Sequence, residues 1–136
     1  SAVSPVAGPA TQAPRDLIRA RTAAFMDTYE RDWDVVRTWI QASGVYPDVE
    51  ELRSRIRSAI ARLLARWLAD DQARGRVRAE VDVEVAVVAL VAMTEEFANR
   101  WLSDGRSLGD REIDQLTDLW VHAVYTEPSA EPGSAA

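Results

Sequence analysis

Apolar side chains recur along most of this chain at spacings of three and four residues, which is the period of one face of an α-helix. The longest of these stripes follows Pro47 and includes Leu52, Ile56, Ile60 and Trp67. No window shows the strict alternation of apolar and polar residues that is typical of a strand. The spacing therefore predicts an all-α fold, an antiparallel bundle of about five helices joined by short loops.

Start and stop signals divide this pattern into separate helices. We expect breaks or starts at or near Pro14, Asp32 or Asp34, Pro47, Asp82 and Asp110. Gly44 is suited to a left-handed cap at the end of the second helix. Asp48 and Glu51 have the spacing of a capping box at the start of the third.

The fourth helix is apolar on every side in its middle, over residues 85–93. A helix of this kind has to be covered all round. We therefore expect it to be the central helix, in contact both with the core of its own subunit and with a further surface.

The two ends of the chain differ in composition from its middle. Residues 1–13 are rich in Ala, Pro, Ser and Gly and carry no charged side chain, and residues 127–136 have the same bias but include Glu127 and Glu131. We expect a flexible N-terminal linker over 1–13, a helical domain over 14–126 and a flexible C-terminal tail over 127–136.

The charge and the hydropathy of the chain disfavour two classes of partner. Its net charge is −6 and its pI about 4.8, whereas a domain that grips a phosphate backbone is usually basic. The Arg series over 53–78 is interpreted as a solvated helix face paired with nearby acidic residues. The longest apolar run has nine residues, against the ~20 of a membrane-spanning helix. With no signal-peptide pattern at the start, we expect a cytoplasmic protein without membrane contact.

Residues for catalysis or for metal binding are scarce. The chain has no Cys, and its one His is His122, among apolar neighbours on the last predicted helix. A nucleophile needs a base beside it, and no phosphate-binding glycine loop occurs. Glu95 and Glu96 are adjacent, so their side chains diverge by about 100° on a helix. We therefore expect no enzymatic activity, no cofactor and no metal.

Four stretches together resemble a known family. They are PRDL at 14–17 with AFMDTY at 24–29, PDVEEL at 47–52, ALVAMTEEF at 89–97 and QLTDLW at 115–120. Their order and spacing resemble the C-terminal ligand-binding and dimerisation domain of TetR/AcrR-family transcriptional regulators over about residues 14–126. The last two stretches are most similar to the branch of the ethionamide-resistance repressor.

The resemblance implies a repressor domain without its DNA-binding part. Its helices would correspond to the fifth to the ninth of nine, and the helix-turn-helix head that reads operator DNA would be absent. We expect operator contact only through that missing head. A small lipophilic effector would release the repressor from DNA, and the last two helices would form a homodimer.

The resemblance also implies two sets of site residues. The ligand pocket would be lined by Ile18, Thr22, Phe25, Tyr29, Ile60, Leu64, Val91, Thr94, Glu95, Ala98 and Trp120. Thr94, Glu95 and Tyr29 would be its polar groups. The dimer interface would include Trp101, Leu108, Leu116, Leu119, Ala123 and Val124.

Two other functions remain open at this point. A helical dimeric interaction module would have the same apolar stripes but a filled core and no ligand. A small helical-bundle enzyme would need catalytic groups that the sequence does not offer. The five Trp residues fit either an aromatic-walled pocket or plain core packing.

Overall fold

A computed structural model of the protein describes residues 13–126. They form five α-helices: α1 (Pro14–Arg31), α2 (Trp33–Ser43), α3 (Pro47–Ala73), α4 (Val83–Ser103) and α5 (Asp110–Val124). The predicted all-α fold is confirmed. The predicted flexible segments, 1–13 and 127–136, lie outside the described residues except for Ala13. Within 13–126, no helix is long and apolar enough to cross a membrane.

The helix ends follow the sequence signals only in part. The Asp82 carboxylate accepts a hydrogen bond from the Val85 N–H at 3.1 Å and so caps α4, as expected. At α5 the N-cap residue is Gly109, one residue before the expected start at Asp110, and the Glu112 carboxylate accepts the Gly109 N–H at 2.9 Å.

Two expected caps are wrong. Tyr46 is the N-cap residue of α3 and Pro47 follows in its first turn, so Asp48 already lies inside the helix and makes no capping bond. Gly44 has a right-handed backbone, with φ −73°. The left-handed glycines are Gly75, which follows the end of α3, and Gly105, which follows α4.

The helices pack in pairs, with α1 along α5, α3 along α4, and α2 against α3. Ion pairs hold the first of these pairs in register: Arg15 contacts Asp118 at 2.9 Å and Arg19 contacts Asp114 at 2.7 Å. Because these pairs are partly exposed, they orient the helices more than they stabilise them.

The core consists of two apolar clusters that α4 connects. The first joins residues of α1, α3, α4 and α5, including Ile18, Leu68, Val87, Leu90, Trp120 and Val124. The second lies toward the other end of α4 and includes Met26, Ala98, Leu102, Leu108, Ile113 and Leu116. Met93 packs against both clusters, so α4 is central, as predicted.

Coverage of α4 within the subunit is incomplete. Val85 and Val88 are 64% and 56% exposed, although the sequence pattern requires a cover on this side as well. The core of the subunit therefore accounts for one face of α4 and leaves an apolar face open.

Candidate ligand-binding site

A groove of about 290 Å³ lies between α1, α3 and α4, and the side chain of Trp120 from α5 closes part of it. Its walls are mostly apolar, which is the usual character of a small-molecule site. The groove is lined by Ile18, Arg21, Thr22, Phe25, Ile60, Leu63, Leu64, Trp67, Val91, Thr94, Glu95 and Trp120.

The structure brings together most of the residues that the resemblance implies for the pocket. The groove is lined by Ile18, Thr22, Phe25, Ile60, Leu64, Val91, Thr94, Glu95 and Trp120 from that set. Tyr29 instead lines a neighbouring cavity of about 270 Å³ between α2 and α3. Ala98 is 0% exposed and packs into the second core cluster, because the groove ends before this turn of α4.

Three lining residues were absent from the sequence prediction: Arg21, Leu63 and Trp67. Helical spacing could have found them. Arg21 lies three residues after Ile18 and four before Phe25, and Trp67 lies one turn beyond Leu63. For Arg21 the spacing is a weak signal, because a charged residue on a helix is usually solvated.

The buried polar groups at the Trp120 end of the groove are hydrogen-bonded to one another. The Trp120 indole N–H donates to Thr94 Oγ1 at 3.0 Å, and the Thr94 hydroxyl donates to the Leu90 carbonyl at 2.9 Å. The orientation of Trp120 is thereby fixed without any ligand. Thr94 retains one free lone pair, so its remaining capacity toward a ligand is that of an acceptor.

The other two predicted polar groups have partners as well. The Glu95 carboxylate forms an ion pair with Arg57 of α3 at 3.3 Å. The Tyr29 hydroxyl donates to Asn99 Oδ1 at 2.6 Å. Burial, reinforced by the charge of the nearby Glu95, raises the pKa of the Tyr29 phenol. The phenol therefore stays neutral and acts here as a donor.

Unlike Thr94, Glu95 and Tyr29, Arg21 forms no hydrogen bond or ion pair with the described residues; its contact is with an aromatic ring. Its guanidinium stacks on the Trp67 ring, with the guanidinium carbon 3.4 Å from the ring centroid. Burial is the main effect on its pKa, which is lowered from the usual value. An arginine remains charged in a protein even so.

The predicted interface residues divide into two groups. Leu108, Leu116 and Val124 are buried in the subunit's own core. They have almost no surface left for a partner, so their assignment to an interface is corrected to the core. Leu119 and Ala123 are exposed on α5, and Trp101 is half-buried, with its ring stacked on Phe97 and under Arg106.

The arrangement of the groove is suited to binding an apolar ligand. Among residues 13–126, no group of three or more His, Cys, Asp or Glu side chains is placed to hold a metal ion. His122 is exposed on α5. The groove thus offers an apolar surface, one hydrogen-bonded Trp–Thr pair and one guanidinium.

Comparison with known families gives one match. The model of the family described as "Transcriptional regulator EthR, C-terminal domain" matches residues 18–126. This range includes all five helices, apart from the first turn of α1. A comparison with curated proteins finds no significant match.

Proposed function

The chain belongs to the family of C-terminal domains of the TetR-type transcriptional regulator EthR, and from this premise we propose that residues 14–126 are the effector-binding and dimerisation domain of a repressor. A small, largely apolar ligand binds in the groove between α1, α3 and α4. Its binding releases the regulator from operator DNA. The DNA contacts belong to a separate DNA-binding head, since a net charge of −6 is unfavourable for gripping a phosphate backbone.

The observation that carries this proposal is the groove itself. Three helices and Trp120 border an open, largely apolar groove of about 290 Å³, in whose walls Ile60 and Leu63 are 48% and 41% exposed. Its walls include Phe25, Ile60 and Leu64. A groove with walls of this kind favours a ligand site over an interaction module with a solid core.

The position of the groove suggests how binding could change the domain. A ligand in it would contact α1, α3 and α4 together, and these helices also carry the contacts to α2 and α5. Binding would favour the arrangement of helices that fits the ligand best. Only a ligand with a higher affinity for the DNA-released arrangement can act as an inducer.

Thermal-shift titration with 1-octanol, an uncharged amphiphile, tests the ligand site. We expect 1-octanol to raise the melting temperature of the chain, because a ligand that binds only the folded state stabilises it. Val91→Phe places a ring in the groove and should abolish this shift. Val45→Phe is the matched control, since Val45 is exposed and lines no part of the groove.

Two results would count against the proposal. An equal shift in the Val91→Phe and Val45→Phe variants would mean that 1-octanol binds elsewhere. In a regulator that carries a DNA-binding head, stabilisation by the ligand with unchanged operator affinity would contradict release from DNA.

The dimer is proposed to form through the exposed apolar face of α4 and α5. Val85 is 64% exposed on α4, and Leu119 and Ala123 are exposed on α5. An isologous two-fold contact, in which the same face of each copy meets the other, is the commonest arrangement of homodimers. Such a contact would supply the cover that the all-round apolar α4 lacks within the subunit.

A further inference from the structure

The guanidinium of Arg21 borders the groove without a direct ion pair or hydrogen bond to a carboxylate, although the charge of Asp71 acts on it from a distance. Among the residues that the structure describes, Arg21 makes no ion pair and no side-chain hydrogen bond; its contact is the stacked ring of Trp67. Its neighbours on α1 behave differently, because Arg15 and Arg19 both pair with carboxylates of α5. A partly buried charge without a partner is unfavourable, so Arg21 has unused capacity to bind an anion.

The carboxylates near Arg21 are already engaged. Asp71 is buried; its Oδ2 accepts the Tyr125 hydroxyl at 3.0 Å, and its Oδ1 accepts no hydrogen bond from the described residues but lies within ion-pair distance of Arg76, at 3.4 Å. Glu95, the acidic residue of the groove wall, is paired with Arg57. The charge that remains uncompensated at the groove is therefore positive.

The Thr22 hydroxyl is a second polar group of the groove that has no hydrogen-bond partner among the described residues. Thr22 is buried on the wall of the groove, and its hydroxyl makes no hydrogen bond with the described residues. Thr94 and Thr117, by contrast, donate their hydroxyls to carbonyls one turn earlier in their helices. The Thr22 hydroxyl is thus free to donate to a ligand oxygen.

We propose that the ligand of this groove is an amphipathic monocarboxylic acid, whose carboxylate binds the Arg21 guanidinium and whose apolar part lies along Phe25, Ile60 and Leu64. The inference rests on the proposed ligand-binding function and names the chemical class of the ligand. The guanidinium can hold a carboxylate through two parallel N–H···O bonds while its face stays on Trp67. Thr22 is placed to donate to the same group.

The volume of the groove limits the size of the acid. At about 290 Å³ it lies at the lower end of the range of ligand pockets, about 300–1,000 Å³. A medium-length aliphatic chain or a single substituted ring fits this limit better than a long-chain lipid. Octanoate is therefore a suitable probe, and it is ionised at pH 7.

Calorimetric titration of the 136-residue chain with octanoate, 1-octanol and octylamine tests the inference. These probes share the alkyl chain and differ in the charge of the head group. We expect octanoate to bind roughly tenfold more tightly than 1-octanol, as a charge-assisted hydrogen bond predicts, and octylamine to bind more weakly than either.

Substitution of the arginine separates its role in binding from a role in folding. Arg21→Gln should remove the preference for octanoate and leave the affinity for 1-octanol within about twofold. Arg66→Gln is the matched control, since Arg66 is exposed on α3 and lines no part of the groove; it should retain the preference. If Arg21 only supports Trp67, Arg21→Gln will weaken both probes equally, which would overturn the inference.

The remaining outcomes distinguish this inference from the proposed function. Equal affinities of the wild-type chain for octanoate and 1-octanol would overturn the acidic ligand and leave the ligand site standing. Absence of binding by all three probes would overturn both.

Discussion

The indole N–H of Trp120 and the hydroxyl of Thr94 are 3.0 Å apart and hydrogen-bonded across the interface of α5 and α4. Both side chains are buried, and both line the groove. The same contact therefore contributes to the stability of the fold and sets the shape of one end of the candidate site. Its loss should be detectable in the free energy of unfolding even without a ligand.

Replacement of the Thr94 hydroxyl by a methyl group should destabilise the protein. Thr94→Val keeps the shape of the side chain but leaves the Trp120 N–H buried without an acceptor. We expect the free energy of unfolding to fall by about 1–3 kcal/mol, the usual effect of an unsatisfied buried donor. Urea denaturation monitored by circular dichroism measures this change.

A second Thr→Val substitution controls for the effect of replacing a helical threonine hydroxyl by a methyl group. The Thr38 hydroxyl donates to the Asp34 carbonyl at 2.8 Å, as Thr94 does one turn back in its own helix, but Thr38 is exposed. Thr38→Val should therefore change the stability by no more than about 0.5 kcal/mol. Equal losses in the two variants would mean that the contact with Trp120 contributes nothing.

The sequence predicted the helices well and their ends less well, for a physical reason. Helical periodicity is averaged over many residues, and it located all five helices. A cap depends on the dihedral angles of one or two residues. Asp48 was misassigned because Pro47 already lies in the first turn of α3, and Gly44 because its φ stays negative.

The candidate site was predictable in location but not in its charged group. The stripes that contain Ile18, Ile60 and Val91 meet at the groove, although Ile60 is 48% exposed. Periodicity does not show whether an arginine on such a stripe folds inward, because that depends on the ring of Trp67 on another helix. Nor does it separate a residue buried within the subunit, such as Leu116, from one buried between subunits.

Alkaline pH should destabilise the protein through Tyr125. Burial, together with the adjacent Asp71 carboxylate, raises the pKa of the Tyr125 phenol above its usual value of about 10. Above pH ~10 the unfolded chain loses this proton while the folded chain retains it. The stabilising effect is therefore complete below that pH and is lost as the pH rises, by up to about 1.4 kcal/mol per pH unit for one proton.

Urea denaturation between pH 8 and pH 11 measures this dependence. Tyr125→Phe should flatten the alkaline decline, although a part should persist because the pKa of Tyr29 is raised as well. Tyr46→Phe removes the hydroxyl of an exposed tyrosine and should leave the wild-type decline intact. If Tyr125→Phe shows the full decline, the phenol of Tyr125 is not its source.

Two glycines should respond in opposite ways to the same substitution. Gly75 has φ 77°, a left-handed backbone that an alanine adopts with strain, although an added Cβ would meet no atom within 4 Å. We expect Gly75→Ala to destabilise the protein by about 1–2 kcal/mol. Gly44, with φ −73°, should accept alanine neutrally or gain up to about 1 kcal/mol. Thermal unfolding of the two variants compares them directly, and a Gly75→Ala variant as stable as wild type would contradict the assigned conformation.

The open apolar face of α4 and α5 should be the contact between two copies of the chain. Leu119 is 52% exposed in the isolated subunit, and a charge at this position would have to be desolvated in a dimer. Leu119→Glu should weaken self-association at least about tenfold, measured by sedimentation velocity over a range of concentrations.

Leu52→Glu is the matched control, because Leu52 is 46% exposed on α3 and belongs to neither α4 nor α5; it should remain as dimeric as wild type. Since both side chains are largely solvated in the subunit, both variants should keep their helical circular dichroism, so a change in mass reports association and not unfolding. A monomeric wild-type chain, or equal dissociation of the two variants, would contradict an interface on α4 and α5.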